Sequence, residues 1–235
     1  MTDLELHVYR DGEELGRGAA DHIASALAWA IERNGTASLA VSGGNSPALM
    51  FAALARHPIT WSHVHVFQVD ERMAPDGDPA RNLEMLRTAL LDAIDIPPDH
   101  VHPIPVRDDL DAAAREYEQT LDSVLGDRPL DVVHLGLGDN GHTASLLPND
   151  PALGVDDRLV SHTTTPFQGN QRVTLTYPAL NAAGHILWLI EGASKADMVR
   201  RLVAGDDAIP AGRVLQDRAA VFCDEPAVSS LLQGE

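Results

Sequence analysis

Apolar residues along this chain follow two alternating rhythms. Short apolar or strictly alternating runs lie at 5–9, 38–41, 64–69, 101–104, 132–135, 159–162, 173–176, 186–190 and 220–222. Between them, apolar positions recur three and four residues apart over 18–32, 47–56, 83–93, 109–125, 194–203 and 226–232. The first rhythm is that of buried strands, the second that of helices with one face on a core. Strands alternating with helices predict an α/β fold: a doubly wound, mostly parallel sheet of Rossmann-like type, with helices on both faces. No repeat, low-complexity tract or Pro/Gly/Ser-rich linker interrupts the pattern, so the 235 residues are expected to form a single domain. The segments 74–79 and 150–157, dense in Pro, Gly and Asp, read as loops on the active face rather than as boundaries.

In a sheet of this kind ligands bind in the crevice beyond the carboxyl ends of the strands. Four segments that directly follow strands therefore carry the candidate chemistry. In Ser42-Gly43-Gly44-Asn45-Ser46-Pro47, two glycines allow close backbone approach, two hydroxyls can donate, and a helix N-terminus follows. That is either an anion seat or an ordinary strand-to-helix turn capped by Ser46. It is not the GxxxxGK[ST] loop of nucleotide triphosphate binding. Asp70-Glu71-Arg72, with Arg81-Asn82 downstream, places charges where an apolar run ends. Arg72 could clamp an anion there and Asp70 could move or hold a proton; a solvated loop with a surface ion pair is the plainer alternative.

The third segment, Gly136-Leu137-Gly138-Asp139-Asn140-Gly141-His142, matches GxGxxG. A dinucleotide fingerprint should open a full-length helix, whereas Pro148 follows within a turn and a half. The glycines are better explained as shaping a loop that presents His142, a natural general base. In the fourth, Glu191-Gly192-Ala193-Ser194-Lys195, the only lysine of the chain falls in the first turn of the expected helix. Cations are favoured at the other end of a helix, so either an anion sits between Lys195 and the helix or the residue stands there by chance.

Charge narrows the partners. Lys plus Arg total 17 and Asp plus Glu 35, a formal net charge of −18, which disfavours nucleic-acid and membrane binding. The single cysteine, Cys223, leaves no internal disulfide or Cys-based zinc site and suits a reducing compartment. The first fifteen residues have neither the basic nor the apolar region of a signal peptide, and no run approaches 18 apolar residues; a cytoplasmic protein is expected, a monomer by default. His63-x-His65 and His100-x-His102 lack a third ligand at sensible spacing, so no metal is expected. No GxSxG elbow supports a serine hydrolase.

The four segments, in this order and spacing, resemble the 6-phosphogluconolactonase family, related to the glucosamine-6-phosphate deaminases. SGGNSP is similar to the family's SGGSTP loop, VDER followed by Arg81-Asn82 to its DER…SN segment, and GLGDNGHTASLLP to GxGxDGHTASLFP. Gln171-Arg172-Val173-Thr174-Leu175-Thr176 with Pro178-Ala179-Leu180-Asn181 resembles RVTLT…PALNxA, and EGASK the GxxK turn; the likeness runs over roughly 19–223. DER, HTASL and RVTLT favour the lactonase branch over the deaminases, whose segments run DEY and HxAFNEP. The resemblance implies hydrolysis of 6-phospho-D-glucono-1,5-lactone in the oxidative pentose phosphate pathway, with no cofactor or metal. It further implies that His142 activates water, that Lys195, the loop Ser42, Gly43, Gly44, Asn45, Ser46 and Arg172 hold the phosphate, and that Arg72 and Asp70 line the sugar end. Gly138, Asp139, Asn140 and Gly141 would shape and orient the histidine loop. Asn140 stands where the family has aspartate, so orientation of His142 passes to Asp139, to Asp70 or to neither. A sugar-phosphate isomerase or deaminase, or a non-catalytic sugar-phosphate sensor, are the competing readings.

Overall fold

Consecutive residues of the central strands bury themselves on opposite faces of one sheet. Leu39 and Val41 enter one core while Ala40 enters another, and Leu187 and Leu189 separate in the same way from Ile186, Trp188 and Ile190. This is why those strands read as unbroken apolar runs: helices cover both sides and neither face meets water. The computed structural model describes residues 4–44 and 46–231. Its strands are β1 (Glu5–Tyr9), β2 (Ala37–Val41), β3 (Val64–Gln68), β4 (Asp70–Arg72), β5 (Val101–His102), β6 (Val132–Leu135), β7 (Val160–His162), β8 (Arg172–Leu175), β9 (His185–Ile190) and β10 (Ala219–Asp224). The helices are α1 (Gly12–Asn34), α2 (Pro47–Leu54), α3 (Asn82–Ala89), α4 (Leu110–Leu125), α5 (Tyr177–Ala182) and α6 (Ala196–Val203).

Seven strands form one parallel sheet in the order β1-β10-β9-β6-β2-β3-β5. The expected doubly wound fold is therefore present. Apart from β1 at one edge, strand order runs outward in both directions from the neighbours β2 and β6, so the crevice between their carboxyl ends is the switch point where such folds bind ligands. α1, α2 and part of α3 pack on one face, and α4, α5 and α6 on the other. Burial of Leu15, Ile23 and Leu27 along α1 contributes roughly 1.5–3 kcal/mol each.

The sequence reading departs from the structure where polar signals outvote periodicity. α1 begins at Gly12 rather than near 18, because the Asp11 side chain accepts the Glu14 N–H and Glu13 and Glu14 favour the first turn. β5 stops after two residues, since Pro103 has no N–H to extend the ladder. The expected helix at 194–203 splits into a 3₁₀ turn, Ala193–Lys195, and α6. A 3₁₀ turn, Glu225–Val228, replaces the first part of the helix expected at 226–232, whose last residue lies outside the described residues. The short helix α5 carried too few positions to show a period.

The largest correction is a second sheet. Asp70–Arg72 is neither the tail of β3 nor a solvated loop: it forms β4, the edge of a three-stranded antiparallel sheet ordered β4-β8-β7. Val69 joins the sheets, donating to Val41 O and accepting from Leu175 N. Both sheets contribute to one hydrophobic cluster, with Val160, Val173 and Leu175 beside Val133, Leu135 and Trp188. Among the described residues no helix is long and apolar enough to cross a membrane.

Candidate active site

A cleft of about 400 Å³ opens over the carboxyl ends of β2, β6 and β9, within the range of small-ligand sites. It is lined by Ser42, Gly43, Gly44, Ser46, Asp70, Arg72, Gly138, Asp139, His142, Arg172 and Lys195 of the expected set. Asn140 and Gly141 stand behind His142 rather than on the wall, and Asn45 lies outside the described residues.

The histidine loop follows β6. A tight turn is closed by the Gly141 N–H to Gly138 O (2.9 Å) and the Gly138 N–H to His142 O (2.8 Å). Gly141 has φ +79°, which glycine adopts without strain. At Gly138 the reason for glycine is steric: a Cβ would lie 2.0 Å from Cε1 and Nδ1 of His142. The imidazole thus rests on bare backbone. Its Nδ1 is 2.5 Å from Oδ1 of Asn140, and the same oxygen accepts the His142 backbone N–H at 3.2 Å. A backbone N–H can only donate, so that atom is an acceptor and Nδ1 must carry the ring proton. Nε2 is left as the lone-pair nitrogen, with no hydrogen bond among the described residues. Burial, then Arg172 and Lys195, push the His142 pKa down from 6.5 to about 4, against an upward pull from Asp139. The ring is neutral at neutral pH.

Of the alternatives left open for orienting His142, neither carboxylate reaches its ring. Asp139 points its carboxylate at Lys195, with Oδ1 2.5 Å from Nζ. Asp70 accepts from Ser145 Oγ (2.6 Å) and Asn82 Nδ2 (3.2 Å) and faces Arg172 Nη1 at 3.6 Å. The amide of Asn140 holds the imidazole.

One wall comes from the loop after β2. Ser42 is buried, its Oγ donating to His134 O at 3.0 Å, so the first hydroxyl braces the loop. Ser46 occupies the N-cap position of α2 but makes no side-chain cap bond, which removes the plain capping reading and leaves an exposed hydroxyl at the cleft. Gly43 packs on Asn82: a Cβ there would meet Oδ1 at 2.0 Å. The turn after β9 supplies Lys195, set by Asp224, whose carboxylate accepts the Gly192 N–H at 3.0 Å and the Ala227 N–H at 3.0 Å. Lys195 is the N-cap residue of α6, one position before the helix rather than inside it.

The opposite wall is the small sheet. Arg72 and Arg172 face each other across the β4–β8 register. Arg172 is 3 % exposed; Nη2 donates to Gln168 Oε1 (3.1 Å) and Phe167 O (3.4 Å), and Nε is buried without a partner. Arg72 Nη1 donates to Asn82 Oδ1 (2.7 Å) and Ala80 O (2.8 Å). Beneath both lies Glu71, fully buried, which accepts from Gln68 Nε2, the Arg72, Asn82 and Leu83 N–H groups, and Arg81 Nε. Two of those N–H groups open α3, so the glutamate caps a helix and fixes Asn82 at the same time.

Sequence reasoning missed several lining residues: His134, Gln168 and Glu191, and the full role of Asn82. His134, inside β6, has its pKa pushed down to about 3 by burial alone, and its Nδ1 lies 3.3 Å from Ser42 N. A polar residue inside an otherwise apolar strand was the available signal. Among the described residues no group of three or more His, Cys, Asp or Glu is arranged to hold a metal ion. His65 instead meets His102 (Nδ1 to Nε2, 3.0 Å) in a stack that includes His100.

Comparisons with known proteins agree with the geometry. Residues 10–223 match the family described as glucosamine-6-phosphate isomerases/6-phosphogluconolactonase. The 6-phosphogluconolactonase of a Nostoc species is 38% identical over 225 residues, covering 92% of this chain and 93% of the relative. That of a Synechocystis species is 41% identical over 181 residues, 74% of this chain and 75% of the relative. The solved structure of 6-phosphogluconolactonase from Trypanosoma cruzi superimposes with a TM-score of 0.86 at 26% identity, covering 98% of this chain and 97% of that one. With its switch-point cleft, its histidine loop and this span of similarity, the chain belongs to the family of glucosamine-6-phosphate isomerases and 6-phosphogluconolactonases.

Proposed function

We propose that this cleft hydrolyses 6-phospho-D-glucono-1,5-lactone to 6-phospho-D-gluconate, with His142 as general base and the phosphate as anchor. The enzyme is a hydrolase of the 6-phosphogluconolactonase type, the activity named for its relatives from Nostoc and Synechocystis. The observation that carries the mechanism is the neutral imidazole of His142, with Nε2 free, in one cleft with Lys195 and Arg172.

A lactone is an activated acyl group, so water delivered by an imidazole suffices. Nε2 takes a proton from water as the water oxygen bonds to C1. The tetrahedral oxyanion then collapses, the bond from C1 to the ring oxygen breaks, and the imidazolium returns the proton to that oxygen. Backbone N–H groups of the loop around Gly138–Gly141, or Arg72, are the donors for the oxyanion. Lys195, the 42–46 loop at the start of α2, and Arg172, whose orphaned Nε calls for an acceptor, bind the phosphate. Asp70 and Arg72 line the sugar end. Anchoring the remote phosphate positions C1 against the water and spends binding energy on orientation. Asp70, already engaged by Ser145, Asn82 and Arg172, serves as an anchor for the cations rather than as a proton carrier.

The net charge of −18 supports a small-molecule partner over a nucleic acid or a membrane, and action as a monomer in the cytoplasm belongs to the same proposal. The test is lactone decay followed by NMR or pH-stat above the spontaneous background, beside a glucosamine 6-phosphate deamination assay. Acceleration of lactone decay alone is expected, with a loss of about 10²- to 10⁴-fold in kcat for His142→Ala. Deamination, or an unchanged kcat in the variant, overturns the reading.

A further inference from the structure

A two-residue hairpin stands against the catalytic histidine, and neither the motifs nor the family resemblance gives it a role. Phe167 and Asn170 pair across it, the Phe167 N–H donating to Asn170 O at 2.8 Å, with Gln168 (φ +52°) and Gly169 (φ +86°) at the tip. Two consecutive left-handed residues make a turn of the I′ kind, which closes antiparallel ends tightly and aims its flanking side chains reproducibly. Gln168 reaches into the cleft and accepts from Arg172 Nη2 at 3.1 Å. Phe167 does something different. Its ring meets the His142 imidazole edge to face, centroids 5.1 Å apart at 72°, and the Arg172 guanidinium carbon lies 5.0 Å from its centroid.

We propose that Phe167 is a positioning residue for lactone hydrolysis, a single aromatic ring that fixes His142 and Arg172 relative to each other. The inference rests on the reading of His142 as base and Arg172 as phosphate ligand, and deepens it. Among the described residues, the Asn140 amide meets the His142 ring on one edge and the bare backbone of Gly138 lies against it. Those contacts set the proton on Nδ1 and support the ring from its own loop. Phe167 adds a contact from a second element, the hairpin. An aromatic edge contact is worth about 0.5–1.5 kcal/mol and a partly desolvated cation–π contact about 0.5–2 kcal/mol, enough to select one rotamer of each partner. Leu would fill the volume but has no quadrupole for the guanidinium and no flat face for the imidazole. The main-chain carbonyl of the same residue accepts from Arg172 Nη2 at 3.4 Å, so backbone and ring hold the cation together.

The groups facing His142 are Asn140 and Asp139 on its own loop, Arg172 from β8, Lys195 from the turn before α6, and Phe167 from the hairpin. Phe167, like Asn140, is uncharged, so its removal admits water without adding or deleting a charge. Water stabilises imidazolium, and the titration of His142 must then move up, toward the ordinary histidine value of 6.5.

The experiment compares wild type, Phe167→Ala, Phe167→Leu and Phe167→Tyr. The His142 Cε1–H resonance, assigned with His142→Gln, is titrated by NMR, which needs no substrate. Lactone hydrolysis is then measured against pH. Phe167→Ala is expected to raise the His142 midpoint by about one pH unit, carry the acid limb of kcat/KM with it, lower kcat about tenfold and raise KM several-fold. Phe167→Leu should move each quantity in the same direction by less, and Phe167→Tyr should restore them. If the wild type hydrolyses lactone and both truncations leave the titration, kcat and KM unchanged while only Tm falls, the hairpin is mere scaffold and the proposal is overturned. A wild type without lactonase activity would instead defeat the reading beneath it.

Discussion

The two sheets of this molecule build the two walls of the cleft by opposite means. The large parallel sheet offers almost no side chains of its own strands. What it contributes comes after the strands end: the loop beyond β2, the glycine turn beyond β6, the Lys195 turn beyond β9. Apart from His134 in β6 and the end of β9, which reach the cleft, its strands present apolar side chains to the cores on both faces. In the small antiparallel sheet the strand residues are themselves the wall. Asp70, Glu71 and Arg172, with Arg81 and Asn82 beside them, are each at most 5 % exposed, and nearly every polar atom is spoken for. Burying charges at such density costs desolvation that pairing only partly offsets. Retaining it is sensible where donors must already point in fixed directions before the substrate arrives. One sheet supplies stability and lets loops carry the chemistry; the other accepts a desolvation cost to hold cations rigid.

The sharpest way to break that contrast is to damage each sheet by a similar amount and ask what happens to catalysis. Glu71→Gln replaces a buried acceptor of five hydrogen-bond donors with a group that must itself donate. A loss of about 3–5 kcal/mol is expected in urea unfolding, since the buried Arg81 then keeps only the exposed Asp76 as a charged partner. Leu39→Ala in β2, fully buried in the other sheet's core, should cost about 2–5 kcal/mol. At a temperature where both variants remain folded, Glu71→Gln should lose kcat and weaken KM, because Arg72 and Asn82 hang from that carboxylate, while Leu39→Ala keeps both. Equal kinetic losses from the two would dissolve the distinction.

The loop side makes a complementary prediction. Lys195→Ala removes a charged donor from the large sheet's wall without disturbing a buried network, its own partner being the exposed Asp139. KM should rise by roughly 10- to 100-fold, the scale of a lost charge-assisted hydrogen bond, with kcat changed far less. Steady-state kinetics decide it, and an unaltered KM would remove Lys195 from the phosphate site.

What could be read in the sequence divides along the same line. Strands buried on both faces and glycine-shaped turns leave strong local marks, so the parallel sheet, the four strand ends and the histidine loop were all legible. The small sheet was not. Asp70–Arg72 is three charged residues, and nothing local says that such a segment is a strand rather than a solvated turn; only β8, a hundred residues later, makes it one. Ser145 and Asn82 were invisible as partners of Asp70 for the same reason: hydrogen bonds across 75 and 12 residues leave no periodicity. The sequence leaves the orienting group of His142 open among Asp139, Asp70 and neither, because charge alone does not show which side chain reaches the ring. Two residues upstream, Asn140 satisfies the ring by geometry alone.

That substitution can be probed directly. Asn140→Asp would place a negative charge 2.5 Å from Nδ1 while keeping the acceptor. A neighbouring carboxylate favours imidazolium, so the His142 pKa must rise from about 4, and the acid limb of kcat/KM with it, by about one pH unit. The change should preserve ring orientation, so kcat at neutral pH alters little or improves. A pH profile that does not move would mean that the titrating group is not His142.

The smallest effect concerns the seam between the walls. Asp139 holds Lys195 at 2.5 Å, yet its side chain is 76 % exposed and that of Lys195 23 %. An exposed pair of this kind is worth at most about 1 kcal/mol, because water screens it and two side chains must be ordered to form it. A sugar phosphate approaching Lys195 meets that carboxylate as both competitor and repulsive charge. Asp139→Asn removes the competition and leaves the loop's backbone bonds, so KM should fall by about two- to fivefold, more at low ionic strength than at high. The same change withdraws the one charge that raises the His142 pKa, so the acid limb should shift slightly downward. The two movements have different origins, and salt separates them: the KM gain fades as Lys195 is screened, whereas the limb, set by a half-buried ring, stays where it is. A rise in KM would show instead that Asp139 steers the lysine into place, and that this wall, like the other, depends on a prearranged ion pair.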